Sequence, residues 1–384
     1  MHGFESGSLT SFPAKKGPDD RFDETLFPEP FDRVFHLHSR IREEYLSALR
    51  TSQTGPALDV STCYTASTDF NAAAVRQGTS FWITFTVGTP AVLYDLFFRM
   101  LGTGEVFSDI GTADEGMVPR HDRIVTNAGP LLEDAGNPLG LSYVPTCKYR
   151  RAIAEYLVLI VCDAMFAHEY QHITGGHLHY LFTDPFCRMV EFGDSPAGRD
   201  DALLRQALEI DADAAAIRWS LKATMDTSHN RWRYDPVLSS YLREPERALR
   251  LWTFAIITMF RLAHESHVGI GSPVYGVHPP PLVRLYFART IVDYLLQDYP
   301  VLMDPPSMFD FVFDEVQRGL CAITQTLPRR QGFSKIGSKE FCDHVNNLVS
   351  VWRGIRPELG AIASSWGGSN APEEYFPYVS PSTR

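Results

Sequence analysis

The chain has 384 residues, 44% hydrophobic, 12% aromatic and 21% charged, the mixture of a folded protein with ample material for a core. Its 35 Lys+Arg against 46 Asp+Glu leave a formal net charge of −11, and no Lys/Arg run is dense enough to reverse that field locally, so nucleic acid is excluded as an expected partner. Six cysteines at 63, 147, 162, 187, 321 and 342, with no Cys-x-x-Cys pair, are too sparse for a disulfide-stapled secreted domain and read as free or buried thiols.

Residues 1–24 are rich in Gly, Ser, Pro and Asp and lack the apolar stretch of a signal peptide, so a flexible tail is expected there. Apolar positions at Val34, Leu37, Ile41, Tyr45, Leu46 and Leu49 predict an amphipathic helix over 30–51. Ala57–Tyr64 alternates as a strand. Asn71–Val75 and Ser80–Val87 read as a hairpin turning around Gln77-Gly78-Thr79. Gly88-Thr89-Pro90 opens a helix that runs to Gly102, with Thr89 as cap and Pro90 at the first helical position. Residues 102–147 carry little periodicity and predict an irregular insertion, either a lid or a surface excursion.

Helices are then predicted at 150–174 and 200–224, with further helical patterns at 245–264, 281–297, 308–325 and 338–355, and a second loose tail from Gly367. The longest apolar runs, Tyr156–Cys162 and Leu251–Phe260, fall short of the ~20 residues that cross a bilayer. No integral membrane segment is expected, and the expected location is cytoplasmic. The fold class implied is α+β, predominantly helical, with a small early β-sheet. Its expected parts are the tail 1–24, a main domain 25–300 interrupted at 102–147, a helical extension 301–366 and a tail 367–384.

The predicted helix at 150–174 contains His168-Glu169-Tyr170-Gln171-His172. Residues four apart on an α-helix are separated by about 40° around the axis and about 6 Å along it, so both imidazoles project from one face toward one ion. Glu169 stands beside the first ligand, where its carboxylate reaches a water on the metal and serves as general base. The apolar stretch Tyr156–Ala167 buries this helix, and histidines at the end of a buried helix need a chemical reason to be there. A catalytic zinc takes three protein ligands and a water. The candidates for the third are Glu209, His177 and His179, and Glu209 is preferred. It lies four residues before Asp213 in Ala207-Leu208-Glu209-Ile210-Asp211-Ala212-Asp213, so Glu209 can ligate while Asp213 accepts a hydrogen bond from a ligand imidazole. Gly175 stands where the extended three-histidine motif has its glycine, but Leu178 occupies the histidine position, which leaves His177 and His179 out of register. Both are expected to be dispensable for metal binding. Another pair, His264-Glu265-Ser266-His267, is read as a helix end.

These residues resemble the H-E-x-x-H … E-x-x-A-D pair of gluzincin peptidases, specifically the CAAX prenyl protease/heat-shock peptidase superfamily. Asn71-Ala72-Ala73-Ala74 is similar to that family's N-A-x-A strand, and His278-Pro279 with Arg284 to its H-P-x-x-x-x-R element, so four motifs follow the family's order over residues 71–284. The resemblance implies a zincin-like peptidase domain with one zinc ion per chain on His168, His172 and Glu209. It implies Glu169 as general base, Asp213 behind a ligand, and Asn71 and Ala72 beside the substrate cleft. It also implies His278 and Arg284 lining the site, the first as oxyanion donor, with Tyr275 as a weaker alternative donor. The expected activity is zinc-dependent endopeptidase action on a protein or peptide, like the soluble relatives in phage-exclusion systems. The alternatives are a regulatory, catalytically inactive zinc fold and a zinc hydrolase of a non-peptide bond.

Overall fold

The computed structural model describes residues 58–114, 116–129, 143–182, 186–190, 199–225, 236–266, 278–297, 304–325, 336–366 and 368–381, with Glu43, Leu46 and Ser47. Most of the helix expected at 30–51, the tail 1–24, Tyr275 and His267 lie outside these residues.

Four strands form one small sheet: β1 (Asp59–Thr65), β2 (Ala72–Gln77), β3 (Ser80–Thr86) and β4 (Phe186–Val190). Its order is β1-β3-β2-β4, with β1 parallel to β3 and the other two pairings antiparallel. The hairpin turn shrinks to Gly78-Thr79, and Gly78 supplies the positive φ of 64° that a two-residue turn requires. β4 was not anticipated, because its partner β2 lies more than a hundred residues earlier in the chain.

Helix α1 (Gly88–Gly102) starts earlier than the capping pattern predicted. The Thr89 hydroxyl does not cap it. That hydroxyl instead donates to Asn71 O and accepts from Asn71 N, both at 2.8 Å, pinning the helix start to the head of β2.

The remaining helices are α2 (Lys148–Thr174), the short α3 (His177–Leu181), α4 (Arg199–Met225), the short α5 (Pro236–Leu242), α6 (Pro245–Ser266), α7 (Pro281–Leu295), α8 (Pro305–Ile323) and α9 (Lys339–Ser365). Fold class is as expected at the coarse level: predominantly helical with a small sheet. Helix α2 sits at the centre and packs against α1, α4, α6 and strand β2. Its run Leu157–Val161 is almost fully enclosed, the signature of a helix with no solvent side. Alanines 202, 207, 212, 214 and 216 line α4 and are buried; their small side chains let neighbouring helices approach closely. No helix among the described residues is long and apolar enough to cross a membrane.

Two stretches expected to be loose are anchored where they are described. In the 102–147 insertion, the buried Arg150 guanidinium donates to Leu101 O, Val106 O and Phe107 O, and Glu315 accepts the Phe107 N–H at 2.7 Å. Asp114 accepts from Tyr143 and Thr146, tying the two ends of the insertion together. The C-terminal stretch 368–381, expected as a tail, packs Tyr375 and Phe376 into the core, with Phe376 against Trp352 at 4.6 Å between ring centroids. Aromatic burial of this kind is worth about 1.5–3 kcal/mol per side chain.

Candidate metal centre

The last turns of α2 carry His168, Glu169 and His172 into a space closed by α4, and all three are at most 2% exposed. His168 Nε2 lies 2.9 Å from His172 Nε2. Glu209 of α4 completes a triangle, with Oε2 at 3.2 Å from His168 Nε2 and Oε1 at 3.5 Å from His172 Nε2. Among the described residues, His168, His172 and Glu209 form a buried group able to hold a metal ion, with their ligand atoms all within 4.8 Å of one another.

The outer partners determine what those atoms offer. His168 turns Nδ1 toward Asp213 Oδ1 at 3.1 Å. Asp213 also receives two bonds from Arg284, from Nε at 2.7 Å and Nη2 at 2.6 Å. The imidazole must therefore donate from Nδ1, which leaves the His168 Nε2 lone pair aimed at Glu209 and His172. On the far side of Glu209, His278 Nδ1 donates to Oε2 at 3.1 Å. Burial pushes the Glu209 carboxyl up, and the hydrogen bond from His278 opposes that. Electron pairs converging in a dry pocket repel one another, and a cation at their centre relieves that repulsion.

The preference for Glu209 over His177 and His179 as third member of the group agrees with this geometry. His177 sits at the opposite nitrogen of His172, Nδ1 to Nδ1 at 2.9 Å, and its own Nε2 faces Asp211 Oδ2 at 3.2 Å. His179 lies apart, edge-on to Trp366 and near Arg76. Arg284, expected to line the site, places its guanidinium on Asp213 and over the ring of Phe260 at 4.6 Å, with 3% of the residue exposed. From there it supports the acid that faces His168. His278 does reach the site, through Glu209. Asn71 and Ala72 stand at the head of β2, the strand that packs against α2, and the Asn71 backbone is engaged by Thr86 and Thr89.

Sequence reasoning missed Asp211 and the role of His177. Two residues along a helix face different directions, so Asp211 cannot share the side of Glu209 and Asp213; the one signal was a third acid inside an alanine-rich, buried stretch. No family model, curated protein or solved structure matches the chain.

Proposed function

We propose that the chain is a zinc-dependent peptidase that uses Glu169 as general base. The observation that carries this reading is the buried triangle of His168 Nε2, His172 Nε2 and the Glu209 carboxylate, with edges of 2.9, 3.2 and 3.5 Å. Zinc bonds of about 2.0–2.2 Å in tetrahedral geometry separate ligand atoms by about 3.3–3.6 Å, so the donor set needs only a small relaxation to fit. Two neutral imidazoles and one carboxylate also match zinc by donor type.

Bound there, zinc supplies Lewis acidity and a lowered pKa for water. Glu169 follows His168 in the chain and is buried beside it; its carboxylate takes the proton of the attacking water and returns one to the leaving amine. His278 is held against Glu209 through Nδ1, and it would need a second hydrogen, on Nε2, to donate to a developing oxyanion.

The deciding experiment combines metal analysis with cleavage. Purified wild-type protein is expected to hold one zinc per chain and to cut a denatured protein mixture, with cut sites read by mass spectrometry of new termini. Glu169→Gln is expected to keep its zinc and cut nothing above background. New termini produced equally by both proteins refute the proposal.

A further inference from the structure

Behind His172 lies a second carboxylate, and its surroundings dictate the positions of several protons. Asp211 is fully buried in the middle of α4. Its Oδ1 receives the Trp352 indole N–H at 3.0 Å and the Ala371 backbone N–H at 2.9 Å. Its Oδ2 receives the Gln171 amide at 2.8 Å and faces His177 Nε2 at 3.2 Å. The first three partners are obligate donors. Oδ2, a carboxyl oxygen that already accepts from Gln171, faces the imidazole as an acceptor too, so His177 donates from Nε2. With Nε2 turned to Asp211, the other ring nitrogen of His177, Nδ1, lies 2.9 Å from His172 Nδ1, placed to accept from it. It follows that His172 carries its hydrogen on Nδ1 and turns the Nε2 lone pair toward His168 and Glu209.

We infer that Asp211 and His177 form a relay that orients His172 for metal binding, separate from the Asp213–Arg284 pair that orients His168. This rests on the reading of His168, His172 and Glu209 as a zinc site. Both are positioning residues, because each acts through His172. The relay has an unusual anchor: of the four groups around Asp211, the Trp352 indole comes from α9 and the Ala371 N–H from the segment that follows it, and Gln171 also donates to Ser369 O at 3.0 Å. The C-terminal part of the chain thus helps to fix the direction of a ligand on α2. Asp213, by contrast, is held from α7 through Arg284. On this inference His177 matters for metal binding, where the sequence reading expected it to be dispensable.

Two measurements on the full-length protein test it. In zinc-loaded wild type labelled with 15N-histidine, long-range 1H–15N spectra are expected to show His177 protonated at Nε2 alone and His172 protonated at Nδ1. A proton on His177 Nδ1 overturns the relay, and this result needs no variant to fold. Chelator competition then gives zinc affinity for three substitutions. His177→Phe keeps the ring volume but removes the acceptor, and His177→Gln reaches only toward Asp211; each is expected to weaken zinc binding about 10–100-fold, the range for outer partners of ligand histidines. His177→Asn places an amide oxygen where Nδ1 stood and is expected to recover most of that loss. Equal weakening by all three, or none by any, overturns the relay while wild type still binds zinc. Wild type that takes up no zinc overturns the metal centre itself.

Discussion

Helices α2 and α4 are both 27 residues long and pack against each other, yet they carry the site in different ways. In α2 the chemistry follows the core: an apolar run fills the middle, and His168, Glu169 and His172 occupy the last two turns. In α4 the chemistry sits in the middle of the helix, with three acids in five positions, all buried. Each acid meets a different partner: Glu209 faces the two imidazoles, Asp213 backs His168 through Nδ1, and Asp211 points away toward His177, Trp352 and Ala371. A helix that is polar at one end can be assembled locally, whereas one with acids on several faces is stable only when every neighbour supplies a donor. The lesson is that the two helices share the donor group: α2 carries His168 and His172, while α4 carries Glu209 together with the acid that backs His168.

The comparison is broken most severely by removing ligands from either helix. Glu209→Ala in α4 and His172→Ala in α2 are both expected to abolish stoichiometric zinc, measured by plasma emission on the purified proteins. Retention of zinc by Glu209→Ala would mean that α4 contributes no ligand. Next in size is Glu169→Gln, expected to lower turnover about 100-fold or more with zinc content unchanged, assayed on a peptide derived from the first identified cut site.

Asp213→Asn sharpens the comparison from the α4 side. It leaves the buried Arg284 without its charge partner, an uncompensated burial that costs about 3–5 kcal/mol, and it loosens zinc about 10–100-fold. Urea melting and chelator competition on the same sample measure both. Loss of stability without loss of affinity would show that Asp213 does nothing for His168. Leu157→Ala is the opposite probe. It opens a cavity in the enclosed middle of α2, with an expected cost of about 2–5 kcal/mol and full zinc occupancy in the folded fraction. Zinc affinity falling in step with stability would show that the two ends of α2 are not separable.

The smallest effect concerns a histidine that burial alone governs. His344 of α9 is held below its usual pKa of 6.5 by desolvation. Its folded pKa lies below its unfolded one, so the stability tied to its neutral form is present above pH 6.5 and is lost as pH falls below that value. Replacing it with Gln is expected to flatten the decline of the urea midpoint between pH 7 and pH 5. An unchanged slope would place the acid sensitivity elsewhere, and the histidines around the metal centre would be the next to examine.

The sequence by itself determined that one face of α2 carries both imidazoles, because His168 and His172 are one turn apart and helical geometry carries them to the same side wherever the helix is placed. It also determined that Glu209 and Asp213 share a face, and it placed the long helices, whose apolar spacing is strong over many turns. It could not place the helix that these acids meet. The tertiary structure decided that Arg284 meets Asp213, since a bidentate guanidinium–carboxylate pair depends on how α7 crosses α4. It decided that the C-terminal stretch read as a tail supplies an N–H to Asp211, a bond across 160 positions that no local pattern encodes. The same holds for β4, whose pairing with β2 is non-local, and for His177, whose importance lies in which nitrogen of His172 it meets. Spacing along one helix is a local property of the chain, while the donor that satisfies a buried acid is chosen by packing.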